Sequence, residues 1–309
     1  MKDLLAFPDK LIQSFEYGDH LRKDGYRGRF APTPSGDLHL GNLRTALIAW
    51  LRARYFSGQF ILRIDDLDTP RNKSGSVEKI KNDLLWLGLN WDEPIIFQSK
   101  RKHIYDDVID ALRNRKVIYP CSCSRKILLK ERLFSNRSLI YSGKCRKLNQ
   151  PFPDQTGNAS SLRLKVGANF ASLCGDIILR RSDGIVSYTL ATVVDELMLG
   201  INEVVRGDDL VGERHSQNAI FDALGQKSVS YRYVPVLLNP LGKKLSKRNH
   251  DDSLSFYQSQ GLHPPQVIGK LAAGLNLVSK NSEISLLELL SELKNNKRKL
   301  LNVFNNAKG

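Results

Sequence analysis

From Tyr26 onward, short apolar runs take turns with stretches whose apolar residues recur every three or four positions. Tyr26 to Ala31 predicts a short strand, and Pro32, Pro34 and Gly36 predict a turn after it. Leu43, Leu47, Trp50 and Leu51 share one face of a helix that should begin near Leu40. Gln59 to Asp65, with Phe-Ile-Leu-Arg-Ile inside it, predicts a buried parallel strand. Ile80, Leu84, Leu85 and Leu87 predict a helix over Val77 to Leu89. Ile104, Val108, Ile109 and Leu112 predict another over Ser99 to Val117. Alternation of this kind implies an α/β fold built on a doubly wound parallel sheet.

The alternation breaks at Tyr119-Pro120. Cysteines, loops and two short strands (Ser161 to Val166, Asp176 to Arg181) fill the next stretch, so residues 119–185 are expected to form an inserted subdomain. Residues 26–118 are then the first half of a catalytic domain, and residues 186–252 the second half. In that second half the pattern predicts helices at Tyr188 to Leu199 and Val211 to Leu224, and strands at Glu203 to Arg206 and Tyr233 to Leu238. Residues 253–309 read as a short helical C-terminal region, with helices near Ser253 to Gln260, Pro265 to Gly274 and Ser285 to Lys294 and a basic, Asn-rich, frayed end. Residues 1–25 read as an amphipathic extension with Leu11, Ile12 and Phe15 on one side.

Charge narrows the partner. Lys plus Arg number 47 against 32 acidic residues, a formal charge of +15. Such an excess points to a polyanion, with nucleic acid first. No apolar run approaches the roughly 20 residues that a membrane helix needs. Met1 to Phe15 carries Asp3, Pro8 and Asp9 and lacks an apolar signal core. A cytoplasmic location without membrane contact is therefore expected, and a monomer is the expected state. The four cysteines suggest reduced thiols or a metal, not a disulfide framework.

Two short motifs carry the chemistry. Arg29 to Asn42 reads Arg-Phe-Ala-Pro-Thr-Pro-Ser-Gly-Asp-Leu-His-Leu-Gly-Asn, and Lys243 to Arg248 reads Lys-Lys-Leu-Ser-Lys-Arg. A helix beginning near Leu40 offers unpaired N–H groups and a positive dipole end to phosphate. His39 at that turn can donate to a phosphate oxygen, and Gly41 lets a nucleotide approach the backbone. Lys244 and Lys247 follow a Gly- and Pro-bearing loop, Asn239-Pro240-Leu241-Gly242, whose closure would bring ammonium groups to the phosphates. Attack of a carboxylate on the α-phosphate of ATP gathers negative charge, so positioning and electrostatics supply most of the catalysis.

In this order the motifs resemble the two ATP signatures of class I aminoacyl-tRNA synthetases, which implies a Rossmann-like catalytic domain. His39-Leu40-Gly41-Asn42 stands for His-Ile-Gly-His, and Lys244-Leu245-Ser246-Lys247-Arg248 for Lys-Met-Ser-Lys-Ser. Within the class the likeness is to glutamyl-tRNA synthetases, carried by Arg29-Phe30-Ala31-Pro32-Thr33, Leu62 to Asp68, Tyr188 to Glu196 and Val204 to Leu210. It extends over roughly 27–275. Only about sixty residues follow the lysine motif, too few for the long helical anticodon-binding region of those enzymes. The chain thus resembles the shortened paralogue family, the glutamyl-Q tRNA(Asp) synthetases, which activate glutamate and transfer it to queuosine in the anticodon of tRNA(Asp).

The resemblance implies L-glutamate, ATP (as its Mg2+ complex) and queuosine-bearing tRNA(Asp) as partners. It implies that His39, Lys244 and Lys247 are catalytic, and that His39, Gly41, Asn42 and Lys247 bind ATP. Glutamate falls to Arg29, Phe30, Ala31, Pro32, Thr33, Asp65, Tyr188 and Arg206. Two carboxylates call for two cationic or donor partners, and an arginine fork binds a carboxylate bidentately; which arginine takes which carboxylate stays open. Asp65 matches the partner of the substrate ammonium, where the family usually has glutamate; one methylene less draws the carboxylate back by roughly 1.5 Å. The alternative is that Asp65 orients Arg63 or caps a turn.

Cys121-Ser122-Cys123 and Cys145 supply three thiolates, which with a fourth donor suit a tetrahedral Zn2+. Ligand chemistry leaves the fourth position open. The family's Cys-x-Cys and Tyr-x-x-x-Cys arrangement implies that it is Tyr141. Four protein ligands would make the metal structural; the alternative is three buried free thiols. Cys174, in a Leu-Cys-Gly-Asp turn, reads as structural. Two other functions compete with glutamylation of queuosine. One is a truncated glutamyl-tRNA synthetase that charges a tRNA 3′ end, and the other a catalytically weak tRNA-binding paralogue.

Overall fold

The computed structural model describes residues 7–124, 126–128, 140–148, 150–153, 160–236, 253–296, 298–300 and 303. Its helices are α1 (Asp9–Asp24), α2 (Leu40–Tyr55), α3 (Ser76–Trp86), α4 (Lys102–Asn114), α5 (Ala168–Ala171), α6 (Tyr188–Met198), α7 (Glu213–Ala223), α8 (Leu254–Ser259), α9 (Pro264–Ala273) and α10 (Leu286–Asn295). Its strands are β1 (Arg27–Phe30), β2 (Gln59–Ile64), β3 (Ile96–Phe97), β4 (Ile118–Cys121), β5 (Ser161–Leu164), β6 (Ile177–Arg180), β7 (Glu203–Gly207) and β8 (Ser230–Val234). Among the described residues no helix is long and apolar enough to cross a membrane.

Packing sorts the chain into two units. One gathers His20–Gln98, Gly200–Val211 and Val229–Gly309; the other gathers Met1–Asp19, Ser99–Leu199 and Gly212–Ser228. The boundaries drawn from alternation, at 118/119 and 185/186, fall inside the second unit. The reason is that α4 packs on α6 and α6 on α7, so the helices flanking the cysteine-bearing stretch stay with it.

The first unit is built on a five-stranded parallel sheet in the order β3-β2-β1-β7-β8. Strands buried on both faces need nearly continuous apolar sequence, and β2 supplies it with Phe60, Ile61, Leu62 and Ile64. Helix α2 fills the core with Leu43, Leu47, Ile48 and Leu51, joined by Val267, Leu271 and Leu289 of α9 and α10. Leu300 and Val303 are buried in the same core.

At the N-terminal end of β7 the Glu203 carboxylate collects cations. Arg52 donates to it through Nε and through Nη2, the latter at 2.6 Å, and the Tyr26 hydroxyl donates at 2.9 Å. Arg232 adds a contact at 3.2 Å. This network holds the edge of the sheet opposite to the strand ends where ligands bind in open parallel sheets.

The second unit carries an antiparallel sheet in the order β4-β5-β6. Asp195 of α6 is fully buried and is satisfied by Arg101 at 2.7 Å and by the Tyr105 hydroxyl at 3.0 Å. Helix α1 crosses α6 at Gly18, where an added Cβ would lie 1.9 Å from the Leu197 carbonyl oxygen. A side chain there would force the two helices apart.

Candidate active site

In the first unit β1 lies between β2 and β7, so the chain leaves β1 toward one side of the sheet and returns on the other. That is a topological switch point, and ligands of open α/β sheets bind outside the C-terminal ends of the strands there. Arg29 and Phe30 close β1, Arg206 and Gly207 close β7, and Asp65 follows the last residue of β2. Parallel pairing therefore gathers residues from three distant parts of the sequence at one end of the sheet.

Arg29 is buried, and its Nη1 donates to the Val205 carbonyl at 3.2 Å, which ties β1 to β7. The Phe30 ring belongs to the apolar core, so any part it takes in binding is through its backbone. The turn after it, Ala31, Pro32 and Thr33, is locked to the end of β2 because the Asp65 N–H donates to the Pro32 carbonyl at 3.0 Å. The Ser35 N–H donates to the Thr33 carbonyl at 2.8 Å, and Gly36 sits at φ 125°, a left-handed geometry that favours glycine.

Asp65 is held by Arg63, Nε to Oδ1 at 2.7 Å and Nη2 to Oδ2 at 3.2 Å. Both residues are buried, Arg63 at 1% and Asp65 at 8% side-chain exposure. This fork is the contact that the alternative reading of Asp65 requires. It does not by itself exclude an ammonium partner, since a carboxylate can accept from more than one donor group.

Arg206 is buried and lies over two tyrosine rings of β8, 4.5 Å from the Tyr231 centroid and 5.4 Å from that of Tyr233. Its Nη2 donates to the Tyr233 hydroxyl at 3.3 Å. Neither tyrosine belongs to a motif read from the sequence. Their signal there is an i, i+2 pair of aromatics on one face of the strand that neighbours Arg206.

His39 caps α2. The Asn42 N–H donates to His39 Nδ1 at 3.2 Å, and the His39 N–H donates to Asn42 Oδ1 at 3.4 Å. With Nδ1 accepting, a neutral imidazole carries its proton on Nε2, which is the donor that a phosphate oxygen requires. Asn42 is thus explained by the cap. A Cβ at Gly41 would lie 3.0 Å from the His39 ring, so glycine there also makes room for the imidazole.

Lys244 and Lys247 lie outside the described residues. The segment around them is fixed at both flanks: the Val236 N–H donates to Asp208 Oδ1 at 3.0 Å, and Ser253 forms an antiparallel bridge with His39. The chain thus leaves for the lysine motif beside the end of β7 and returns beside the histidine motif. Tyr188 belongs to the second unit, where it opens α6 behind the Ser187 cap and is 40% exposed.

The second unit brings the predicted metal donors together. The three sulfurs of Cys121, Cys123 and Cys145 lie within 4.8 Å of one another. Cys123 and Cys145 are 3.5 Å apart, and Tyr141 Oη lies 3.3 Å from Cys121 Sγ and 3.7 Å from Cys123 Sγ. A tetrahedral zinc with Zn–S of about 2.3 Å separates sulfurs by about 3.8 Å, so the donor set fits such an ion. Burial pushes the Cys123 thiol up to about 11. Burial also pushes Cys145 up, but hydrogen bonds from Tyr141 and Cys123 outweigh it and bring it to about 7. Asp176 braces the cradle: it is buried and accepts from the Tyr119 hydroxyl at 2.5 Å, from the Val166 N–H at 3.1 Å and from Arg146, the neighbour of Cys145. Gly175 is required beside it, since a Cβ there would meet the Tyr141 carbonyl oxygen at 2.7 Å.

Comparison with known proteins shows the family. Residues 26–308 match the family model of class I tRNA synthetases (E and Q), catalytic domain. The glutamyl-Q tRNA(Asp) synthetase of Prochlorococcus marinus strain MIT 9313 is 49% identical over 94% of both chains. The glutamate–tRNA ligase of Nitratidesulfovibrio vulgaris strain DP4 is 37% identical over 85% of this chain and 60% of its own. Among solved structures, the glutamate tRNA ligase of Elizabethkingia meningosepticum in complex with its amino acid superposes with a TM-score of 0.69 at 26% identity, and the likeness covers 86% of this chain and 64% of that one. The chain is therefore a class I aminoacyl-tRNA synthetase-like ligase and belongs to the E and Q catalytic-domain family, alongside relatives named glutamyl-Q tRNA(Asp) synthetase.

Proposed function

We propose that this ligase activates glutamate with ATP and transfers it to the queuosine base in the anticodon loop of tRNA(Asp). The observation that carries the first half is the convergence of Arg29, Arg206 and Asp65 at the switch point, beside the His39-capped helix. Two arginines and one carboxylate match the two carboxylates and one ammonium of glutamate. The dipole end of α2 and His39 Nε2 meet the demand for phosphate contacts. A glutamate carboxylate oxygen attacks the α-phosphorus of Mg2+-bound ATP, and pyrophosphate leaves. A hydroxyl of queuosine then attacks the activated carbonyl, an ester forms, and AMP leaves. Lys244 and Lys247 supply positive charge to the phosphates as the first step proceeds.

The second half rests on likeness. The glutamyl-Q relatives of two Prochlorococcus marinus strains match 94% and 93% of this chain at 49% and 48% identity, against 85% at 37% for the glutamate–tRNA ligase. In the second unit Cys121, Cys123, Tyr141 and Cys145 would hold a structural zinc ion, whose part is to fix the segments that carry them.

The test is incubation with ATP, labelled glutamate and tRNA(Asp) that carries or lacks queuosine. Label is expected only on the modified tRNA. It should survive periodate oxidation of the 3′-terminal ribose when the base diol is protected. Label on the 3′ adenosine of unmodified tRNA(Glu) would establish a truncated glutamyl-tRNA synthetase instead. ATP–pyrophosphate exchange that no amino acid supports would establish a tRNA-binding paralogue.

A further inference from the structure

Strands β7 and β8 run parallel, with Val204 opposite Tyr231 and Arg206 opposite Tyr233. Side chains alternate along a strand, so Val204 and Arg206 share a face, and so do Tyr231 and Tyr233. The register therefore sets both tyrosines beside the arginine. Their rings lie nearly parallel, 13° apart with centroids separated by 6.5 Å, and the guanidinium carbon is within cation–π range of both. Arg206 is 4% exposed and Tyr233 8%.

Attraction of this kind comes from the ring quadrupole and uses none of the guanidinium N–H groups. Carboxylates engage its N–H edge. A ring platform can therefore hold an arginine in place without occupying the edge on which a substrate carboxylate docks. The Tyr233 hydroxyl, 3.3 Å from Nη2, fixes the rotation of the fork within its plane. A free arginine loses rotamer entropy when a ligand captures it, and one already held does not.

We propose that Tyr231 and Tyr233 are positioning residues for Arg206, which pre-orient its guanidinium for a carboxylate of the amino-acid substrate. The inference rests on the reading of Arg206 as a glutamate ligand. It makes β8 part of the specificity apparatus, because the two tyrosines fix where the Arg206 fork sits.

The test is the glutamate KM in ATP–pyrophosphate exchange, with kcat, the ATP KM and the melting temperature measured on the same preparations. Tyr231→Leu is expected to raise the glutamate KM about tenfold, with kcat and the ATP KM within about twofold. Tyr231→Phe keeps the ring and should restore the native KM, whereas Tyr233→Phe should raise it about threefold. Arg206→Lys should raise it about 10²-fold, and adding Tyr231→Leu to Arg206→Lys should change it no further. If Arg206→Lys raises the KM but the tyrosine variants leave it unmoved, the positioning role is overturned and the reading of Arg206 stands. The positioning role is likewise overturned if Tyr231→Leu acts equally in both backgrounds, or acts on kcat alone. If Arg206→Lys leaves the KM unchanged, the underlying reading fails. Should Tyr231→Leu fail to fold, Tyr233→Phe carries the test, and a native KM there overturns the inference.

Discussion

At the residue scale, Asp65 is the most informative position. Its carboxylate is the counterion of Arg63, a side chain with 1% exposure inside the sheet. Removing one partner of a buried pair costs about 3–5 kcal/mol, because the other charge is left uncompensated. Asp65→Asn is therefore expected to lower stability and, if Asp65 also meets the substrate ammonium, to raise the glutamate KM at least about tenfold. Asp65→Glu should keep or lower that KM, since the longer carboxylate regains roughly 1.5 Å of reach. Exchange kinetics and thermal melts on the same two variants separate the roles: a lowered melting temperature with an unmoved KM would leave Asp65 as the counterion of Arg63 alone. Asp83 of α3 gives a pH-dependent case. It is buried, and its carboxyl is raised from 3.8 to about 6 by burial first, with Asp37 adding to the rise and Lys79 opposing it. The folded chain binds that proton more tightly than the unfolded chain, so the stability it brings is full below about pH 4 and is lost as pH rises through about 6. Asp83→Asn should therefore stabilise the protein by about 1–3 kcal/mol at pH 7 to 8, and the gain should shrink toward zero near pH 4. Urea unfolding at the two pH values measures it, and a gain that is the same at both would refute the account.

At the scale of elements, the cysteine-bearing segments yield the clearest prediction. If the donor set holds zinc, metal analysis of protein prepared without chelator should find about one equivalent per chain. Cys145→Ser should release the ion, and a strong chelator should lower the melting temperature of the wild type while leaving that of Cys145→Ser unchanged. Metal-free wild-type protein would leave three buried thiols in its place. Periodicity reveals some elements and not others. The strand read at Gln59 to Asp65 is observed as Gln59–Ile64, and the helix read at Tyr188 to Leu199 as Tyr188–Met198, because one apolar pattern decides each. The apolar run at Tyr233 to Leu238 predicts a strand there, yet β8 begins at Ser230. Pairing of Ser230 with Glu203 fixes that start, and such a register is tertiary information that a local pattern lacks. The two-residue strand β3 is too short to show alternation at all. The site follows the same rule. His39, Arg29 and Arg206 are visible in motifs, and the Arg63–Asp65 contact is legible as the alternative role of Asp65, whereas the tyrosine platform and the anchors at Asp208 and Ser253 exist only once the chain is folded and its segments are paired.

At the scale of the whole molecule, the excess of basic residues governs how the chain meets its large substrate. With 47 lysines and arginines against 32 acidic residues, the protein carries a formal charge of +15. A polyanion bound by such a surface releases condensed counterions, so its affinity falls linearly with salt on a log–log scale. Contact with about five phosphates of a single-stranded anticodon loop gives a slope of about −3.5, and raising salt from about 50 to 200 mM should then weaken tRNA binding about 10²-fold. The proposed amino-acid site should respond differently. Arg29 and Arg206 are 6% and 4% exposed, and buried charge pairs are screened far less than exposed ones. Over the same salt range the glutamate KM in exchange without tRNA should change by less than about threefold. Filter binding of labelled tRNA(Asp) and exchange kinetics, run in parallel across the salt series, make the comparison. A flat binding curve would mean that the basic surface does not contact phosphate. A glutamate KM that climbs as steeply as the tRNA dissociation constant would mean that the amino-acid ligands are solvent-exposed, against the burial of the two arginines at the ends of β1 and β7.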